Sequence, residues 1–345
     1  MRARQGTDLA SNDGRQVRTR HVSRMRRRPA IEQFGTLIFF ALFYVVIALL
    51  KGHQFTSWSN ISLVLSQNSY AAILAAAVTL PLIAGQFDLS VGACAGLAAV
   101  LCAYFVANAR MNVILAVAVT MLVGASVGLV NGVLVTRAKI NAFIATLGVS
   151  GALGGIAVWV SGGQTIYTGI PASLLSTGTR KVLSIPLPIV YVAVATVVLW
   201  ALTKRTVAGR YWYACGGNSE SARLAGVHVR KMVVWAFVGT GVIASIGGIL
   251  YMVIFASADP TTGPDLLLPA FAGAFLGSSI LSDGRFTMTG SVLGTLLLAY
   301  ATSGLEIAGV NFAAQPIFNA LVLVGSVGLT EFLRRRRKVG RVVQV

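Results

Sequence analysis

From residue 34 onward the chain reads as long apolar blocks separated by short polar breaks. Ten blocks stand out, at 34–50, 61–83, 90–107, 112–135, 142–161, 186–203, 232–256, 266–281, 287–307 and 315–333. Most approach the roughly 20 apolar residues a helix needs to cross a bilayer core. The pattern predicts an all-α polytopic membrane protein of about ten transmembrane helices. The blocks at 61–83, 90–107 and 266–281 are interrupted or bordered by Gly, Pro, Asp or Asn, so some helices are predicted broken or short. Two connections are long. Residues 162–185, rich in Gly, Pro, Ser and Thr, read as an irregular surface loop or a re-entrant piece, and 204–231 carry much of the charge between the blocks. Residues 257–270, with Pro260 and Pro264, predict only a short turn of helix.

Composition sharpens the class. Charged residues make up 11% and hydrophobic residues 56%, with a mean hydropathy of +0.77, against about 25% charged in ordinary soluble domains. The net charge of +18 would suit a nucleic-acid binder were it clustered on one surface. It is instead partitioned. Nine Arg precede residue 34, two basic residues follow the fourth block, six the sixth and one the eighth, and six close the chain. With ten alternating spans all of these fall on one side, leaving Lys51, Arg110, Arg180 and Lys181 for the other. That is the positive-inside rule with both termini cytoplasmic, and it accounts for the basicity through topology and anionic lipid rather than nucleic acid. Residues 1–33 then read as an Arg-rich disordered cytoplasmic tail, 34–333 as the membrane domain and 334–345 as a basic cytoplasmic tail. The N-terminus does not read as a cleaved signal peptide, because the tail is long and the first block has spanning length. Cys94, Cys102 and Cys215 form no CxxC or Cys/His cluster.

Little in the chain suits an enzyme. "GASVG" (124–128) matches the nucleophile-elbow pattern, but His21, His53 and His228 all lie outside the blocks and the motif sits in a predicted helix. There is no HExxH and no phosphate-binding GxxxxGK[ST]. ATP hydrolysis would have to reside elsewhere. A proton-coupled carrier working alone would use buried acids, and the blocks offer few, Asp88 and Glu306 among those at or near their ends. Glycines at four-residue spacing, Gly124/Gly128/Gly132, Gly151/Gly155 and Gly290/Gly294, predict close helix packing within the subunit, or a dimer seam.

Two polar features remain. Asp88, in "AGQFDLSVGA" (84–93), is the only acid between Glu32 and Glu220. Followed by Leu89, Ser90 and Gly92, it is placed to cap a broken helix or to act as a gate. In the 204–231 connection, Asn218 or Ser219 can cap a short helix. Glu220 suits its N-terminus, Ala222 and Leu224 suggest a small apolar face, Arg223 lies in its last turn, and Gly226 suits a left-handed stop. Such a helix serves equally as a surface bridge or as a docking element.

Three stretches together resemble one family. "AGQFDLSVGACAGLAA", "NGVLVTRAKINAFIATLGVSGALGGIAVWVSGGQTI" (131–166) and "GRYWYACGGNSESARLAGVHV" are similar, in order and spacing, to motifs of the sugar-type permease subunits of bacterial ABC importers, kin of branched-chain amino acid permeases. The likeness covers about residues 35 to 335. It implies a homodimer or heterodimer of ten-span subunits in the bacterial inner membrane, fed by an external solute-binding protein. It also implies a cytoplasmic ABC ATPase that uses ATP and Mg, no cofactor being bound by this chain itself. On that resemblance the 217–226 segment (Gly217, Asn218, Ser219, Glu220, Ala222, Arg223, Leu224, Gly226) becomes the ATPase-coupling helix, and Gly85, Asp88, Leu89, Ser90 and Gly92 the family's signature join. The implied cargo is a monosaccharide or sugar alcohol, with an amino acid or nucleoside as the alternative. Gln67, Asn68, Gln86, Asn141, Thr146 and Ser150 are the polar groups expected along the path.

Overall fold

Lipid offers no partner for backbone N–H and C=O groups, so a chain of this composition is expected to satisfy them within helices. The computed structural model describes residues 31–281, 284–311 and 313–342. The expected tail at 1–33 falls, up to residue 30, outside the described residues, as do residues 343–345. In chain order the helices are α1 (Ile31–Lys51), α2 (His53–Thr56), α3 (Trp58–Gln67), α4 (Ser69–Ile83), α5 (Val91–Ala107), α6 (Val113–Thr136) and α7 (Ala142–Ser161). Then follow α8 (Ala172–Thr179), a hairpin of β1 (Lys181–Val182) and β2 (Ile185–Pro186), α9 (Leu187–Arg205), α10 (Val207–Gly217) and α11 (Ser219–Leu224). The chain closes with α12 (Val229–Phe255), α13 (Gly263–Leu281), α14 (Met288–Ile307) and α15 (Ala314–Val342).

Each apolar block maps onto a helix or a broken pair. Among the described residues, α6, α7, α9, α12 and α14 are long and apolar enough to cross a membrane, and α3 with α4, bent by 47°, makes a sixth. The apolar parts of α1 and α15, and all of α5, are shorter. Polar residues at the breaks set the starts. Ser57, Asn112, Asn141, Thr206, Asn218 and Thr287 each accept, through the side chain, a first-turn amide of the helix that follows.

The layers follow from which helices are apolar all round. Nearly every residue of α4 and α5 is buried, a pattern expected of central helices. Around them pack α12, which touches α4, α5 and α6, and the α13–α14 pair, with α15 against α13. Helices α6, α7 and α9 lie outside, with only 22% of their apolar windows buried against 61% and 67% for α12 and α14. Their outward residues, Ile114, Leu122, Ile144, Trp159 and Val197 among them, are apolar and exposed.

Glycines allow the tight crossings. A Cβ at Gly124, Gly128 or Gly132 would strike the backbone or Ser245 side chain of α12, and one at Gly277 or Gly294 the facing helix of the α13–α14 pair. Gly151 and Gly155 differ: nothing lies within 4 Å of their added Cβ, so this pair packs against nothing among the described residues. Pro81, inside α4, lacks the N–H that would bond the Ala77 carbonyl one turn back. The Thr240 hydroxyl from α12 takes its place, 3.2 Å from Ala77 O, while shared with Ala236 O at 2.8 Å.

Two local expectations change. The 162–185 connection holds α8 and the hairpin, whose turn residues Leu183 and Ser184 both have positive φ (49° and 66°), the geometry a two-residue hairpin turn demands. It is tied to the 257–270 segment by the Ile166–Ala258 bridge and by Thr165 Oγ1 donating to Asp259 Oδ2 at 3.0 Å. In that segment α13 begins at Gly263 and runs on unbroken, because Pro264 falls in its first turn, where a missing N–H is harmless. Through the basic end, α15 continues to Val342.

Candidate functional site

The 204–231 connection is two helices rather than one. Thr206 accepts from Gly209 N at 3.1 Å and starts α10, whose buried positions Gly209, Trp212 and Cys215 recur every three residues. Asn218 ends α10 and starts α11, its Oδ1 accepting from Ser221 N at 2.9 Å. The helix stops on Gly226, at φ 83°, with Val227 N donating to Ala222 O and Gly226 N to Arg223 O, both at 3.0 Å. That pair of bonds is a Schellman motif. Its apolar contact is present too, because Ala222 and Val227 are buried together with Cys215.

Ala222 and Leu224 do not share a face. Two residues on a helix are about 200° apart, and while Ala222 is buried, Leu224 is 76% exposed. Leu224 therefore stands outward as a bare apolar tip, in the same short helix as the exposed Glu220–Arg223 pair (Nη2–Oε1, 2.5 Å). The Arg223 hydrogen bond, then its charge, holds the Glu220 carboxyl below the usual range.

Behind this tip, α10 touches the breaks in two helical pairs. At one end Gly216 lies on the α4–α5 join: its added Cβ would strike Ile83 O and lie 3.0 Å from Gly85 N. Gly85 itself has φ 78°, a left-handed turn suited to glycine, and its own added Cβ would lie 3.1 Å from Gly216 Cα. Three residues earlier on α10, the Tyr213 hydroxyl donates to Phe286 O at 3.0 Å, in the connection between α13 and α14. Trp212 Nε1 donates to Met232 O at 2.8 Å and seats α10 on the first turn of α12, and Lys204 lies 5.0 Å from the Tyr213 ring centre.

The α4–α5 join is internally braced. Asp88 Oδ1 accepts from Ser90 N at 2.9 Å and from Ser90 Oγ at 2.6 Å, and Asn131 Nδ2 of α6 donates to Ser90 Oγ at 2.7 Å. Leu89 N donates to Thr146 Oγ1 of α7 at 3.0 Å. Asp88, Ser90, Asn131 and Thr146 are all buried. The cap position of α5 is Ser90, not Asp88, so the carboxylate secures the residue before α5 rather than the amides inside it. Burial pushes the Asp88 carboxyl up to about 6, against the lowering effect of the Ser90 bonds. Gly92 follows, where a Cβ would run into Gly263 O of α13.

The six residues expected along a path do not converge. Asn141 is exposed and caps α7 through Phe143 N. Thr146 is the clamp on Leu89 just described, and Ser150 is half-buried on α7. Gln86 is half-buried in the join, its amide donating to Pro81 O at 2.9 Å. Gln67 is exposed at the end of α3, and Asn68 stands at the α3–α4 break with Nδ2 on Val64 O at 2.9 Å. Sequence alone does not single out Asn131, Tyr213 or Gly216. Asn131 is signalled only by its amide within an apolar block; the roles of Tyr213 and Gly216 depend on contacts no local pattern encodes.

A helical bundle with outward apolar faces, two breaks and an α10–α11 unit whose inner helix bears on both is the architecture of a polytopic membrane protein. Comparison with known proteins names the family. The branched-chain amino acid transport system / permease component family matches residues 60–327. The ribose import permease protein RbsC of Escherichia coli (strain K12) is 32% identical over 295 residues, covering 85% of this chain and 91% of that protein. The D-allose transport system permease protein AlsC of the same organism is 26% identical over 304 residues (88% and 93%). The autoinducer 2 import system permease protein LsrD of Yersinia pestis (strain Pestoides F) is 30% identical over 324 residues (88% and 97%). No solved structure matches the chain. The chain belongs to this permease family: it is a transport subunit of the bacterial inner membrane, not itself an enzyme.

Proposed function

We propose that this chain is the membrane subunit of an ATP-driven importer that carries a small neutral polar solute, a monosaccharide or sugar alcohol, into the cytoplasm by alternating access. The observation that carries the reading is the α10–α11 unit. Its outer helix offers Glu220, Arg223 and Leu224 to a partner, and its inner helix bears on the α4–α5 join through Gly216 and on the α13–α14 connection through Tyr213. A cytoplasmic ABC ATPase, using ATP and Mg, would grip α11, and its closure would move both breaks together as a rigid-body step. The names of the relatives, ribose and D-allose permeases, support the cargo. So does the electrostatics: Asp88 is the only buried acid among the described residues, and the one ion pair among them, Glu220–Arg223, is exposed. Ten spans with both termini cytoplasmic, an external solute-binding protein, and a second permease subunit complete the proposed assembly. The open Gly151/Gly155 face of α7 supports the last of these.

Replacing both Glu220 and Arg223 by Ala tests the coupling. Their side chains are 65% and 64% exposed, so the fold should be unaffected. Uptake should be abolished and the ATPase should dissociate more readily. Full uptake by the folded double variant would refute the coupling role.

A further inference from the structure

The β1–β2 hairpin turns its apolar residues outward. Its two-residue turn is Leu183-Ser184, both at positive φ, where glycine or asparagine is the usual occupant. A leucine in this left-handed region crowds its own backbone, yet Leu183 is 92% exposed. Cross-strand pairing sets Val182 opposite Ile185 and Lys181 opposite Pro186, so the two pairs lie on opposite faces. Pro186 is buried, where β2 packs against α3 and α9. The Val182/Ile185 face is therefore turned away from the bundle, and both residues are exposed.

The hairpin sits where α9 reaches the membrane surface. Leu187 N donates to Arg180 O at 2.9 Å, which closes the hairpin directly onto the first turn of α9. That helix has 19 residues, about 28 Å, close to the roughly 30 Å of a bilayer's hydrocarbon core, and it exposes Val194, Val197 and Val198. One of its ends then meets a headgroup layer at Lys204 and Arg205, and the other meets the opposite layer at the hairpin. Tyr191 in α9 and Trp58 at the start of α3, both exposed, supply at this end the aromatic rings that favour such a layer. Arg180 and Lys181 precede the turn, both exposed, and neither belongs to an ion pair among the described residues. No acid occurs between Asp88 and Glu220, so the hairpin, α8 and α9 carry positive charge alone. An apolar turn beside two cations at the end of a span suits a phospholipid, with phosphate on the cations and acyl carbons on Leu183.

We propose that the β1–β2 hairpin is a membrane anchor. Leu183, with Val182 and Ile185, enters the boundary between headgroups and acyl chains, and Arg180 and Lys181 bind the phosphate of an anionic phospholipid. Through Arg180 the hairpin continues back into α8, which is seated on α12 so closely that a Cβ at Gly178 would strike Val253 O. The anchor thus fixes the end of α12 away from α10 in the bilayer, while the coupling unit moves at the other end. The inference goes beyond the importer reading and depends on neither the cargo nor the ATPase.

The test uses the full-length chain in nanodiscs containing phosphatidylglycerol. Leu183→Cys is labelled with bimane; Cys94, Cys102 and Cys215 are buried, and the parent treated alike supplies the background. Ala225→Cys, at the exposed end of α11, is the water-facing control. Lipid carrying a nitroxide near its headgroup should quench the label at 183 strongly and aqueous iodide weakly, the reverse of the label at 225. Adding Arg180→Gln and Lys181→Gln should lower the ratio of lipid-facing to water-facing label about thirtyfold, at about 1 kcal/mol per charge near an anionic surface. Both side chains are exposed, so far-UV circular dichroism of that variant should match the parent. Iodide quenching at 183 equal to that at 225 would overturn the proposal and leave the turn to a soluble partner. So would lipid quenching that survives the loss of both charges unchanged. Either failure leaves the importer reading standing, because that reading is tested separately at Glu220 and Arg223.

Discussion

The contact between Gly216 and the α4–α5 join is where a single methyl group should matter most for transmission. Gly216 and its neighbour Gly217 end the same helix, and both gain helix propensity, about 0.5–1 kcal/mol, when changed to Ala. They differ in surroundings. The methyl group added by Gly217→Ala meets nothing within 4 Å, whereas the one added by Gly216→Ala runs into the Ile83 carbonyl and lies 3.0 Å from Gly85 N. Those are backbone atoms at the end of a buried helix and cannot swing aside as a side chain would. Relieving the overlap requires α10 to lift from the join, and overpacking of this kind costs about 1–3 kcal/mol. Set against the propensity gain, Gly216→Ala should be net destabilising by up to about 2.5 kcal/mol and Gly217→Ala neutral or stabilising. Thermal unfolding in nanodiscs compares the two directly, and ATPase stimulation in the assembled complex reads the coupling. The expected result is a lower melting temperature and reduced stimulation for Gly216→Ala only. Equal melting temperatures and equal stimulation for the two variants would show that the backbone contact neither supports the fold nor transmits motion.

Two further outcomes follow from the buried polar groups. Asp88→Asn keeps an oxygen for the Ser90 amide and hydroxyl but removes the charge that burial penalises. With the folded carboxyl raised to about 6 from an ordinary 3.8, ionisation destabilises the parent progressively as pH rises through that window. The variant should therefore match the parent near pH 4 and exceed it above pH 6, by at most about 3 kcal/mol in pH-dependent melting; a gap that does not grow with pH would refute this. Thr240→Val should cost about 1 kcal/mol by stripping the donor from Ala77 O, and much less in a Pro81→Ala background, where a restored helical N–H takes over. Additive effects in that double-mutant cycle would count against the pairing.

What the linear chain determined by itself is what lipid and local geometry determine. Apolar blocks of spanning length become helices because no other backbone arrangement is satisfied without water, and the ten blocks reappear as helices or a broken pair. Helix α11 is readable down to its caps, because Asn218 and Gly226 act on amides and carbonyls within a few residues of themselves. The 162–185 segment is not irregular as its composition suggests: its glycines and prolines mask eight residues of helix and a hairpin, held by the Ile166–Ala258 bridge from a distant loop.

Only the tertiary structure decided which small residues meet. Gly124, Gly128 and Gly151, Gly155 share one spacing, yet the first pair is closed by α12 and the second is open, since spacing defines a face but not what covers it. In the same way, Gly216 against Gly85 and Tyr213 on Phe286 O join parts of the chain far apart in sequence. "AGQFDLSVGA" is conspicuous in the sequence for its acid. Folding shows Asp88 holding Ser90 in a join braced by Asn131 and Thr146, with Gly85 beneath the helix that leads to the exposed tip. Those contacts are set by packing between helices, and no local pattern carries that information.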